Sequence, residues 1–414
     1  MAIKDSQGGA SFLEWDAPLK LREPEAIRRC RHELSDEICF WQFLQYLFAK
    51  QWQALKAYAN GKGISIIGDI PIYVALDSAD TWSHPELFQL SEGCVPKAVA
   101  GVPPDAFSAT GQLWGNPLYD WEKLRGQRRM LREARPDCVI GCGGYVSGPV
   151  VRCAAKMGIH TALHEQNAFP GVTNKLLAPD VDIVFAAVPA AVEKLGAPQK
   201  TIVVGNPVRP EVFTQAKNRD AIRAQLGAGD RTVILSFGGS LGARRVNEVV
   251  GDLCAWEQQE HKSVLHLHAT GQYGVQLFKD LEQQKGFAEG DSLVVKEYIN
   301  NMPELLAAAD LVISRAGALT LAELEAVGRA AVLIPSPNVA ENHQYYNAME
   351  LQKAGAAVVI EEKDLTGEKL VQTVSEMLTQ PGKLAEMGRN ARSLSVDDSL
   401  DRIAAALLEL VKKA

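Results

Sequence analysis

A chain of 414 residues exceeds one ordinary domain, so two or three folding units are expected. Its 47% apolar content suits globular cores, and a formal net charge of −7 argues against nucleic acid as the main partner. The seven cysteines form no C-x-x-C pair and are odd in number, which reads as reduced thiols in a cytosolic protein with no metal site.

Residues Met1 to Gly9 are polar and lack a basic segment followed by an apolar one, so a secretory leader is not expected. The stretch Ile38 to Phe48 is too short to span a bilayer. Ile38, Trp41, Leu44, Phe48, Trp52 and Leu55 recur at helical spacing, and Gly61 stands where that helix would end. A buried strand is expected at Ile64–Ile67, before Gly68-Asp69-Ile70-Pro71-Ile72. The text from Pro103 through Thr110-Gly111-Gln112 to Gly115-Asn116-Pro117 reads as loop. One helix, one strand and a long loop do not close a core.

Six of the seven tryptophans precede residue 122, and Trp256 alone follows it. This shift marks a join near Glu122 to Arg125, with a charged run from Lys123 to Arg135 entering the second unit as a helix. Beyond it, strand and helix alternate. Strands are expected at Cys138–Ile140, Ile159–Leu163, Ile183–Val188, Thr201–Val204, Val233–Phe237, Val264–His268, Leu293–Val295, Leu311–Ser314, Ala331–Ile334 and Ala357–Ile360, and a helix at Val146–Met157. Such alternation gives parallel sheets covered by helices on both faces. With about eleven strands, two Rossmann-like halves fit, hinged near Gly205-Asn206-Pro207.

Three segments carry candidate chemistry. In Ser236-Phe237-Gly238-Gly239-Ser240-Leu241-Gly242-Ala243 a strand runs into glycines and opens a helix. Glycines admit phosphate oxygens to the backbone, and helix N-termini supply free N–H donors. A plain βα turn has the same look. In Ser314-Arg315-Ala316-Gly317-Ala318-Leu319-Thr320, followed by Glu323, a carboxylate near the first helical turn suits ribose hydroxyls, or the helix macrodipole alone. Asn338 to Asn347, with Gln344, follows a strand end where ligands of open α/β sheets bind, and is equally a solvated helix start. Arg209, after the hinge, suits a diphosphate. His266 and His268 share a strand face and read as filling rather than metal ligands. Asp180-Val181-Asp182 matches a three-residue metal–nucleotide pattern at near-chance level.

Taken together, Gly143-Gly144-Tyr145-Val146-Ser147-Gly148-Pro149, His164-Glu165-Gln166-Asn167, Gly205-Asn206-Pro207-Val208-Arg209, Gly238-Gly239-Ser240 and Arg315 to Thr320 occur in this order. From Leu124 to Ala414 the chain resembles the bacterial N-acetylglucosaminyltransferases that complete lipid II for peptidoglycan. The resemblance implies a GT-B-type pair of Rossmann-like domains and an inverting transfer from UDP-N-acetylglucosamine to lipid I. It implies no cofactor, no metal, and a peripheral position on the inner face of the bacterial cell membrane. By motif position it places Glu323 on the ribose, and Gly238, Gly239 and Ser240 on the phosphates. Ile299 meets the uracil through its backbone, and Ala318, Leu319 and Thr320 line the donor site. Asn167 and Gln344 contact the sugar, and Arg209 lies near the diphosphate. The family's early glycine-rich loop, with its histidine, has no match before Leu124, so no catalytic residue is assigned.

Phe12-Leu13-Glu14-Trp15, Gly68 to Val74, and Gly101-Val102-Pro103-Pro104-Asp105-Ala106-Phe107 through Tyr119 resemble amylomaltase, a 4-α-glucanotransferase with a (β/α)8 barrel. The catalytic carboxylates of that family lie later in its sequence, and Asp69 alone cannot run a two-carboxylate mechanism. The expected division is a barrel fragment over 1–123, a truncated acceptor-side domain over 124–207 and a donor domain over 208–414. The functional expectation is an N-acetylglucosaminyltransferase impaired by truncation. The alternatives are a UDP-sugar-binding remnant, a chimeric chain without function, and a glucanotransferase.

Overall fold

A computed structural model describes residues 1–64, 73–102, 112–120, 131, 135–239, 241–260 and 262–412. Most of the Ile64–Ile67 strand, Asp69, the Pro103 to Gly111 text, the join at Glu122–Arg125, most of the helix from Lys123 and Ser240 lie outside these residues. The chain divides into two compact units, Met1–Met130 and Leu131–Ala414. Among the described residues no helix is long and apolar enough to cross a membrane.

The first unit holds the helices Ala2–Ser6, Ala17–Lys20, Pro24–Glu33, Ser35–Gly61 and Ala79–Ser83. Its two strands, β1 (Val99–Val102) and β2 (Gln112–Pro117), pair antiparallel. The loop expected over Gln112–Pro117 is therefore a strand. Pairing with Val99–Val102 overrides the turn chemistry of Gly115, Asn116 and Pro117. Phe12, Leu19, Ala26, Phe88 and Ala100 are buried. Trp15 packs edge-on to Trp82, and Phe88 stacks on Tyr119.

The second unit contains two all-parallel sheets. The first comprises β3 (Cys138–Gly141), β4 (His160–Glu165), β5 (Ile183–Ala186) and β6 (Thr201–Val203), in that spatial order. The helices Gly144–Lys156 and Val172–Leu177 cover one face, where Val151, Leu163, Leu177 and Val184 are buried together. On the other face Ala162, Phe185 and Val204 meet Ile403, Ala406 and Leu407 of the last helix, Ser399–Lys412. The chain's end thus returns to close its own first sheet.

The second sheet comprises β7 (Thr232–Phe237), β8 (Val264–Ala269), β9 (Leu293–Lys296), β10 (Leu311–Ser314), β11 (Ala330–Leu333) and β12 (Ala357–Val359). Its order is β12-β11-β10-β7-β8-β9. The order reverses between β7 and β10, which is the doubly wound arrangement. Period-2 alternation divides the side chains between two cores. Val233, Leu235, Leu267 and Val312 face one. Ile234, Val264 and Ile313 face the other, beneath the helix Arg244–Gln259. Burial on both faces explains why these strands read as continuous apolar runs.

Candidate functional site at the crevice of the second sheet

The two glycine turns singled out in the sequence follow β7 and β10, the strands that flank the reversal. In open α/β sheets this is where ligands bind, outside the carboxyl ends of the strands. After β7 the backbone folds tightly. A Cβ on Gly238 would stand 2.5 Å from the Ala243 nitrogen. Glycine there lets the loop close against the first turn of Arg244–Gln259, leaving that turn's N–H groups for an anion.

After β10 the helix Ala318–Val327 begins. Ala318 and Thr320 are half-buried and Leu319 is exposed. Glu323 is the helix's sixth residue, so it stands on the second turn rather than the first. Its carboxylate is largely buried and accepts a hydrogen bond from Arg209 at 2.9 Å. Arg209 caps the helix Pro210–Ala216 just past the hinge. The residues assigned separately to ribose and diphosphate thus form one ion pair. A ligand's hydroxyls and phosphates would compete for its two halves.

Asn167 and Gln344 are also brought close to this crevice. Gln344 Oε1 accepts from the Ala316 and Ser336 backbone N–H groups, at 3.2 and 3.0 Å. It ties the loops after β10 and β11 together, and its amide NH2 is the part left to donate to a ligand. Asn167 Oδ1 accepts from Asn347 Nδ2 at 3.0 Å, while Asn347 Oδ1 accepts from the Ala168 N–H at 2.8 Å. This pair joins the loop after β4 to the helix His343–Lys353, so both sheets meet at the crevice. Glu165 holds Asn167 in place by accepting from its backbone N–H at 3.0 Å. The Ile299 side chain is buried in the core, just beyond β9.

At Gly205-Asn206-Pro207, where sequence suggests a hinge, the His164 ring contacts the Gly205 carbonyl oxygen at 3.2 Å, and Asn206 Nδ2 donates to the Gln166 carbonyl at 3.1 Å. Burial lowers the His164 pKa, so its imidazole is neutral at pH 7. Beside Gly205 and Asn206 lies a cavity of about 280 Å³, lined also by Glu325, Asn347 and Ser395 among others. Burial pushes the Glu325 carboxyl up to about 8. Glu165 and Asn347 were read in sequence only as parts of longer segments without a role, and Glu325 was not singled out. Asn347 is defined by partners far along the chain, Glu165 by the loop that folds around its carboxylate, and Glu325 by burial. Asp182 and Asp180 serve locally: Asp182 accepts from the Thr161 N–H at 2.7 Å, and Asp180 pairs with Arg152 at 3.0 Å.

Three family models match. Residues 233–403 match the glycosyltransferase family 28 C-terminal domain, and residues 104–186 its N-terminal domain. Residues 1–129 match the 4-alpha-glucanotransferase model. The UDP-N-acetylglucosamine--N-acetylmuramyl-(pentapeptide) pyrophosphoryl-undecaprenol N-acetylglucosamine transferase of Desulforamulus reducens is 41% identical over 289 residues, 68% of this chain and 77% of that protein. The chain belongs to this family of N-acetylglucosamine transferases. A family member from Bacillus cereus is 43% identical over 291 residues, 70% of this chain and 78% of its own length. The crystal structure of Acinetobacter baumannii MurG superposes with a TM-score of 0.59 at 29% identity, over 75% of this chain and 83% of that one. An epimerase structure from Listeria monocytogenes shares the fold, with a TM-score of 0.54 at 14% identity. The GT-B-type reading of the second unit and the dual origin of the chain stand. The N-terminal resemblance is to a different family from that of the transferase unit.

Proposed function

We propose that the second unit binds UDP-N-acetylglucosamine across the β7–β10 crevice and transfers N-acetylglucosamine to a lipid I acceptor at the cytoplasmic membrane face. The acceptor 4-hydroxyl attacks the anomeric carbon, the bond to UDP breaks, and configuration inverts. In this reading Gly238, Gly239 and Ser240 hold the phosphates and Glu323 the ribose. The backbone at Ile299 meets the base, and Ala318, Leu319 and Thr320 line the donor. Asn167 and Gln344 contact the sugar, and Arg209 moves from Glu323 to the diphosphate. The observation that carries it is the largely buried Glu323 carboxylate on the helix after β10, held by an arginine that a diphosphate can recruit. The proposed domain limits are 1–123, 124–207 and 208–414.

A second reading is donor binding without turnover. It is favoured by the match of residues 1–129 to another family, immediately ahead of the first parallel sheet. Calorimetric titration with UDP-N-acetylglucosamine, against UDP-glucose, followed by an assay of transfer to lipid I, separates the two. Selective binding with transfer supports the first reading, and binding alone supports the second. A folded chain that binds neither sugar nucleotide sinks both. Glu323→Ala is expected to weaken UDP-N-acetylglucosamine binding by about 1–3 kcal/mol, through loss of a charged hydrogen bond. Unchanged affinity removes Glu323 from the site.

A further inference from the structure

Between β8 and the helix Val275–Lys285 runs a loop, residues 270–274, that carries no chemistry of its own in sequence. It lies along the phosphate-type loop, backbone against backbone. A Cβ on Gly271 would collide with the Gly242 nitrogen, and one on Gly242 with the Thr270 carbonyl oxygen. Both glycines have positive φ, +71° and +87°, so only glycine permits the approach. The Tyr273 N–H donates to the Leu241 carbonyl at 3.2 Å. Asn247, the fourth residue of the helix Arg244–Gln259, is fully buried, and its Nδ2 donates to the Thr270 carbonyl at 2.9 Å. Below both loops Ser236 Oγ lies 2.7 Å from His266 Nε2 and 2.7 Å from His268 Nδ1, which ties the ends of β7 and β8 together.

The same loop is anchored on its other side to the end of β9. The Thr270 N–H donates to the Lys296 carbonyl at 3.0 Å, and the Gly271 N–H to the Glu297 carbonyl at 3.0 Å. Ile299 stands two residues beyond Glu297. One short loop therefore bonds both to the segment that leads to the base position and to the turn that the phosphates approach.

We propose that residues 270–274, with Asn247, form a spacer that fixes the distance between the base end and the phosphate end of the donor site. Asn247 and Gly271 are its positioning residues, and neither touches the donor. The inference rests on the donor reading given above. In that reading the base is met after β9 and the phosphates after β7, on two different loops. A nucleoside diphosphate gains affinity over a nucleoside only when those loops are already held at the right separation, because ordering them on binding costs free energy. Asn247 extends the hold to the helix itself. Its side chain couples the spacer to the turn whose N–H groups face the anion.

The test is calorimetric titration of the full chain with uridine and with UDP. The parent is expected to bind UDP more tightly. Asn247→Ala should weaken UDP binding about tenfold, the effect of one lost hydrogen bond between the loops, and leave uridine binding unchanged. Leu253→Ala, nearer the middle of the same helix, lowers stability and should keep the whole gain from uridine to UDP. A folded Asn247→Ala chain that keeps this gain overturns the proposal. So does an equal loss for both ligands, which makes the loop a general prop of the fold. In both cases the parent's preference for UDP survives, so the donor reading stands. A folded parent that binds UDP no better than uridine sinks the donor reading and the spacer with it. If Asn247→Ala fails to fold, amide hydrogen exchange of the parent decides. Segments 238–243, 270–274 and 296–299 should exchange through one shared opening, and separate openings overturn the proposal.

Discussion

The helix Ser35–Gly61 has 27 residues and buries none of them, while Arg244–Gln259 has 16 and buries nine. Both carry apolar residues at helical spacing. Phe40, Phe43, Tyr46, Phe48, Leu55 and Tyr58 stand exposed on the first, whereas Val246, Val250 and Leu253 of the second sit in a core under β7 and β8. Periodicity states which face a helix would bury. It does not supply the partner. In the second unit the partner is a six-stranded sheet. The described part of the first unit offers the long helix no equivalent. Most helical stability comes from such packing rather than from propensity, so two helices that read alike should behave differently.

The largest expected effect is in limited proteolysis of the whole chain. Cuts within 35–61 should come first, leaving a resistant fragment that begins near residue 131. A resistant first unit would break the comparison. Next, Leu253→Ala, at a fully buried site, should lower unfolding stability by about 2–5 kcal/mol. Leu55→Ala, at an exposed site, should change it by no more than about 0.5 kcal/mol. Equal losses, read from denaturant midpoints, would show that the long helix has a partner after all.

Glu325 sharpens the contrast by pH. Burial holds its carboxyl at about 8, above the ordinary carboxylate range. Between that range and pH 8 the unfolded chain releases a proton that the folded chain keeps, so stability falls as pH rises through this window. Glu325→Gln removes the effect. Its advantage over the parent should grow from near zero at pH 4 to about 3–5 kcal/mol above pH 8. An advantage that does not change with pH would mean that the carboxyl is solvated. Among the losses, the smaller is Asn347→Ala, expected to cost about 1 kcal/mol for the lost bridge to Asn167 and Ala168, seen as a small drop in midpoint. No change would mean that the two sheets do not rely on this contact.

Much of the second unit was legible in sequence because its strands are buried on both faces. Leu311–Ser314 is observed as expected, and other strands begin or end one or two residues away, where apolar runs meet polar residues. The glycine turn after β7 was legible as well, since close backbone approach at Gly238 leaves no room for a side chain. Ten strands form there among the described residues, one at each of the ten stretches named from sequence. Other features depend on partners far along the chain. The Asn167–Asn347 bridge spans 180 positions, and the Arg209–Glu323 pair spans 114. Local pattern carries no trace of either. Gln112–Pro117 was misread because glycine and proline usually punctuate, and only the facing strand Val99–Val102 makes that segment extended.

The last helix, Ser399–Lys412, completes the core of the first parallel sheet. On the ribosome, Ala162, Phe185 and Val204 emerge roughly two hundred residues before Ile403, Ala406 and Leu407 that cover them. At ordinary elongation rates of about 5–20 residues per second the nascent chain carries that open face for some tens of seconds. The second sheet can assemble during this wait, while the face of the first stays open until its covering helix has emerged. The interval over which this face needs protection from aggregation therefore ends with the emergence of Ser399–Lys412.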